Sequence, residues 1–188
     1  MWRKAEPEFA PESLRFVDTA PAFRNGYVQP MKGLYPPSEE LQTTFQILSA
    51  RSPDHRYNLI FDWYLLIEGS GDEVDISGEP DSAPLLLDHQ GGTSNHFATC
   101  GTSCAFYWGV WLSPTRFALA GWQSEEELSQ QMHAFIKIYS LADSTERSYV
   151  TRSVSVEVGN RYRAAWEGWV NSKFRAIQAR VTRTGGKP

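Results

Sequence analysis

Both cysteines and two of the four histidines of the chain lie within one stretch, HQGGTSNHFATCGTSC, from His89 to Cys104. His96, Cys100 and Cys104 stand four residues apart, which on a helix would stack three metal ligands on one face. The glycines, serines and threonines between them favour turns instead. Structural zinc sites commonly use cysteine pairs two to four residues apart, with a second pair further along. The spacing here is not such a motif, and no zinc is expected at His96, Cys100 and Cys104. A catalytic cysteine needs a base held by a third group, which no spacing in this stretch indicates. A Cys100–Cys104 disulfide would need an oxidising setting. The simplest reading is a polar loop, with Cys104 entering a buried strand as a small apolar side chain.

Carboxylates supply a second candidate. Glu68, Asp72, Glu73, Asp75, Glu79 and Asp81 follow one another without an intervening base. Calcium takes six to eight oxygens and tolerates irregular loops. Asp72, Glu73 and Asp75 are therefore the candidate ligands, although the EF-hand pattern is absent. Asp62 lies inside the apolar run RYNLIFDWYLLIEG. Buried there, it would carry a raised pKa or a bound partner. A hydrogen-bonded core carboxylate is the simpler role, because no second acid, histidine or serine stands at a catalytic spacing to it. Nucleophile-elbow, dinucleotide-binding and phosphate-loop signatures are all missing. No enzyme activity and no cofactor other than calcium are expected.

Basic residues supply the third. Residues 51–100 carry two arginines against nine acids, a balance of −7, and residues 147–188 carry nine bases against Glu157 and Glu167, a balance of +7. The total, −4, hides this split. Read as adjacent strands, Arg161 and Arg163 would share a face with Lys173 and Arg175, beside Tyr162, Trp166 and Trp169. Guanidinium groups and aromatic rings on one sheet face suit phosphate contact and base stacking. Nucleic acid, or the acidic surface of a second copy, is the partner this pattern predicts.

The elements that must position these residues follow from periodicity. The chain of 188 residues is long enough for one domain with its own core. Residues 1–37 hold six of the eleven prolines and read as an extended arm, with SLRFVDT as a short strand. Phe9, Phe16, Phe23, Tyr27 and Tyr35 recur along it, so the arm is expected to lie against its own core or a neighbour. Residues 38–184 read as a single β-rich domain and 185–188 as a frayed tail. SEELQTTFQILSAR predicts a helix capped by Ser38, with Leu41, Phe45 and Leu48 on one face. RYNLIFDWYLLIEG predicts a strand, LLLDH a short one, and CAFYWGVWLSP with RFALAGW a hairpin. SEEELSQQMHAFIKIY predicts a second helix, with Ser124 and Glu127 at capping-box spacing. SYVTRSVSVEV, RYRAAWEGWV and KFRAIQARVTR predict a closing three-stranded meander.

Together these give a β-dominated α+β fold: an antiparallel sandwich or jelly-roll-like barrel with two short helices and an N-terminal arm. The expected function is that of a non-enzymatic, self-associating structural protein resembling a coat subunit. A carbohydrate- or peptide-binding β module and a small α+β enzyme with an aromatic pocket are the alternatives. The longest apolar run is too short to span a bilayer and the first residues lack a signal peptide's apolar stretch. A cytoplasmic site, or one within an assembled particle, is the expectation.

Overall fold

The computed structural model describes residues 14–23, 27–31, 39–70, 73–124, 131–151 and 153–184. Its architecture is β-dominated α+β, built from antiparallel sheets that pack as a sandwich and do not close into a barrel. The first sheet contains β1 (Arg15–Pro21), β12 (Thr145–Val150), β11 (Gln131–Ser140), β10 (Arg116–Ser124) and β9 (Cys104–Ser113), in that spatial order. The short β13 (Val154–Ser155) extends it by pairing with Gln131 and Met132 of β11. The second sheet runs β2 (Tyr27–Pro30), β8 (Thr93–His96), β7 (Leu85–Asp88), β4 (Tyr57–Ile60) and β3 (Ser49–Arg51). A separate hairpin pairs β5 (Leu65–Ser70) with β6 (Glu73–Gly78). Two helices complete the described residues, α1 (Glu39–Ile47) and α2 (Val156–Thr184).

Strand alternation explains the layering. Successive residues of a strand point to opposite faces. Leu59 of β4 and Leu86 of β7 join the main core with Phe106, Phe117, Leu119, Phe135 and Tyr139 of the first sheet. Their neighbours Ile60, Leu85 and Leu87 face the other way, into a smaller core under α1 that includes Phe45. The second sheet is thus apolar on both faces and lies between α1 and the first sheet. Gly109 permits a close approach between the sheets: a Cβ there would sit 2.5 Å from the Phe61 ring.

The long strand expected over RYNLIFDWYLLIEG is broken. The Asp62 carboxylate accepts the Tyr64 N–H at 3.1 Å, a side-chain turn that ends β4 and redirects the chain into β5. The acidic stretch expected as a loop contains β6, because Val74 and Ile76 alternate against β5. The predicted arm supplies two strands, β1 at one sheet's edge and β2 at the other's. Phe23 packs against Phe97 and Tyr139 in the core. Phe9 and Tyr35 lie outside the described residues.

Two further expectations fail. Gln131–Ser140, predicted as the second helix, is β11, hydrogen-bonded on both sides. Residues 156–184, predicted as strands, form a helix of 29 residues, so the second helix is neither short nor where it was expected. The signal for it is present: Tyr162, Trp166, Val170 and Phe174 recur every four residues, and all four are buried.

Candidate functional site

The helix α2 closes a cleft of about 330 Å³ against the first sheet and the start of β6's exit loop. Its walls carry three rings. Tyr107 and Trp166 stack at 4.8 Å between centroids with an interplanar angle of 16°. Trp122 Nε1 donates to the Tyr107 hydroxyl at 2.7 Å, and Trp166 Nε1 donates to the Tyr107 carbonyl at 3.0 Å. Tyr107 reaches both indoles because β9 bulges there: Trp108 pairs with Ala120 and Phe106 with Gly121, leaving Tyr107 as the extra residue. Burial raises the pKa of the Tyr107 phenol, so it stays neutral.

The floor is a buried polar knot. Asp62 is 3% exposed. Its Oδ1 accepts the N–H groups of Tyr64 and Ala83, and its Oδ2 accepts the Ser82 hydroxyl at 2.5 Å. Ser82 Oγ in turn accepts the Phe106 N–H at 3.1 Å. Ser82 and Cys100 exchange both backbone hydrogen bonds at 2.9 Å. Cys100 and Cys104 are joined as a disulfide. This one patch of network holds the 80–82 segment, the start of β9 and the Cys100–Cys104 loop in register. Burial raises the Asp62 pKa, while its three hydrogen bonds oppose the shift.

At the rim stand Glu79 and Asp81, both exposed, and the Arg163–Glu167 pair, with Nε to Oε1 at 2.8 Å. Among the described residues neither Glu79 nor Asp81 makes an ion pair.

The sequence-predicted sites fare differently. Cys100 and Cys104 are joined to each other, so the stretch expected as an open polar loop is covalently closed. His96 is buried in β8 with its ring 6.2 Å from that of Trp63, and burial lowers its pKa. Glu73 and Asp75 lie on the exposed side of β6, and Asp72 lies outside the described residues. Among the described residues no three of His, Cys, Asp or Glu come together as a metal-binding group.

The four basic candidates all sit on α2, which removes the premise that they share a sheet face. At about 100° per residue, Arg161 and Arg163 point about 200° apart around the axis. Arg161 lies 3.7 Å from Glu157, four residues before it on the helix. The Lys173 ammonium lies 5.7 Å from the Trp169 ring centre, and Arg175 is exposed. No helix among the described residues is long and apolar enough to cross a membrane. No family model, curated protein or solved structure matches this chain.

Proposed function

We propose that this protein is a small-ligand-binding β module whose site is the cleft under α2. The carrying observation is the Tyr107–Trp122–Trp166 cluster, three rings locked by two N–H donations around a concave space. Ligand sites are concave, walled by apolar and aromatic groups, and carry few polar groups of fixed direction. The volume falls at the small end of the range for such sites, about 300–1,000 Å³. Binding is favoured over catalysis because the two best chemical groups are spent. Asp62 accepts three hydrogen bonds, and Ser82 both donates to Asp62 and accepts from Phe106, so neither is poised as acid or nucleophile. Thermal-shift and NMR titrations with a panel of small sugars, amines and peptides test this. At least one class should stabilise the wild type, and Trp122→Ala should lose the effect while keeping its far-UV circular dichroism. No response to any class would overturn the reading.

Self-association is the second reading, and one surface favours it. Phe16, Tyr149, Ile136 and Ala120 pair in register across β1, β12, β11 and β10 of the first sheet, and Val110 of β9 stands opposite Ala118 beside them. Phe16 is 56% exposed, and Val110 on the same face 54%. An apolar row that is exposed at Phe16 and Val110 and half-buried between them offers apolar area that a second molecule could cover. An identical face on a second copy would cover it with two-fold symmetry. Light scattering after size exclusion should give a dimer or larger particle for the wild type and a monomer for Phe16→Glu/Val110→Glu. A monomeric wild type would remove this reading.

A further inference from the structure

We propose that the Cys100–Cys104 disulfide is a redox latch on the cleft floor, opened by a dithiol and closed again by a disulfide oxidant; its effect on binding rests on the cleft reading above. The two ends of the bond are held differently. Cys104 begins β9 and pairs with Gln123 of β10. Cys100 lies outside the named strands and meets Ser82 through a single bridging pair, each backbone donating to the other at 2.9 Å. Ser82 in turn donates to Asp62 and accepts the Phe106 N–H, and both Asp62 and Ser82 line the cleft. The bond therefore ties a fixed strand end to a segment that reaches the floor through one bridge. Closed, it holds that segment against Ser82. Open, it leaves the bridge to hold by itself.

The surroundings suit reversible opening. Both cysteines are only half-buried, and Gly101 and Thr102 between them are exposed, so a thiolate has a path to the bond. A Cβ placed on Gly101 would meet only Asp81 Oδ1 within 4 Å, at 3.8 Å, among the described residues, so the loop is not packed shut. Exposed disulfides are the labile and regulatory ones. The bond spans four positions, and a disulfide stabilises less as the loop it closes shortens, so the sheet stands in both states. The chain has no third cysteine, so within it the pair is either closed or open. In opening, a thiolate of the dithiol attacks one sulfur. The Cys100–Cys104 bond breaks, a mixed disulfide forms, and the other sulfur leaves with the electron pair. The second thiolate of the dithiol then displaces the mixed disulfide. Cys100 and Cys104 end as thiols, having gained two electrons and two protons, and the dithiol leaves as its own disulfide.

The latch is tested first without any ligand. Wild-type protein in native buffer is treated with dithiothreitol, its thiols are counted by alkylation and mass, and amide exchange is followed by NMR. The bond should open without denaturant and close again when oxidised glutathione replaces the reductant. Exchange at the Ser82 and Cys100 amides should speed at least about tenfold on opening, while Leu119 and Phe135 in the sheet should change less than about twofold. Cys100→Ser/Cys104→Ser should show the open pattern with no reductant present. A bond that resists dithiothreitol until the chain unfolds would overturn the latch. So would opening that melts the sheet, or opening that leaves Ser82 and Cys100 unchanged. Any compound class that stabilises the closed form should bind the opened form at least about fivefold more weakly, and equal affinity would overturn the control of binding. The expected exchange pattern with no ligand found among the panel would uphold the latch and remove only the binding reading.

Discussion

Asp62 shows what a single buried carboxylate does for this chain. It ends β4 through the Tyr64 N–H, fixes the Ala83 N–H, and positions Ser82 for Phe106. Asp62→Ala would strand these donors in a buried site, and should lower stability by about 2–4 kcal/mol in urea unfolding. The pH dependence has a definite sign. Burial raises the folded-state pKa above the ordinary 3.8, so the folded state holds the proton more tightly than the unfolded chain. Stability from this group is greatest at low pH and falls as pH rises from the ordinary value through the raised one. Asp62→Asn should flatten that part of the stability curve. Glu146 has the opposite sign. Burial pushes its pKa up, but the Lys137 ammonium at 3.0 Å and the hydrogen bonds around it outweigh burial, and the net shift is downward. Its contribution is present above the ordinary carboxylate range and is lost as pH falls through the lowered pKa, a loss Glu146→Gln should abolish. The buried role of Asp62 is legible from a lone acid in an apolar run. Its turn-forming role is not, because an Asx turn depends on which N–H lies nearby. Nor is the Tyr107–Trp122–Trp166 cluster, whose members are separated by 15 and 44 positions and meet through a bulge that no local pattern signals.

The elements divide by how unambiguous their periodicity is. The hairpin of β9 and β10 and the helix α1 follow from local pattern. β11 was expected as helix because Leu128, Met132, Phe135 and Tyr139 fit a helical face. The stretch MHAFIKIY also alternates, and pairing on both sides decides for strand. The α2 segment was expected as strands because Gly159-Asn160 and Asn171-Ser172 look like turns. A helix tolerates both when tertiary burial of Tyr162, Trp166, Val170 and Phe174 outweighs weak propensity. Two glycines within α2 make a paired test. Gly168 has nothing within 4 Å of a Cβ position, so Gly168→Ala should stabilise by about 0.5–1 kcal/mol through helix propensity. At Gly159 a Cβ would fall 1.6 Å from the Met132 sulfur. Gly159→Ala should therefore destabilise, by about 1–3 kcal/mol, despite the same gain in propensity. Denaturant midpoints that move together would refute the packing of α2 on β11.

At the scale of the whole molecule, the acidic and basic segments adjoin through an apolar contact. The acidic hairpin β5–β6 and the basic helix α2 touch: the Phe174 ring lies 3.1 Å from a Cβ placed on Gly69. Parts of the −7 and +7 segments are thus carried by elements that pack together in one chain. Composition displays the imbalance, but only the path of the chain shows that the two halves adjoin. Phe174 is 1% exposed, and Phe174→Ala should cost about 3–5 kcal/mol by unseating the helix from the hairpin. The disulfide closes only a short loop, four positions apart, and Cys100→Ser/Cys104→Ser should cost about 2 kcal/mol. A loss larger than that of Asp62→Ala would mean that the loop carries more of the cleft floor than the Asp62 knot does.

The placement of α2 also sets an order of events in time. The hairpins among β9, β10, β11 and β12 join near neighbours, whereas Tyr107 waits for Trp166, 59 positions later, and Gly69 for Phe174, 105 positions later. Closing long loops lowers the folding rate. In refolding from urea, the circular dichroism of the β9–β12 strands should recover first, and tryptophan fluorescence from the Tyr107–Trp166 stack should follow in a slower phase. Trp166→Phe should remove most of that second phase and leave the first unchanged. A freshly made chain would then hold a formed sheet with an unfinished cleft, and its ability to bind would appear only when the last helix docks.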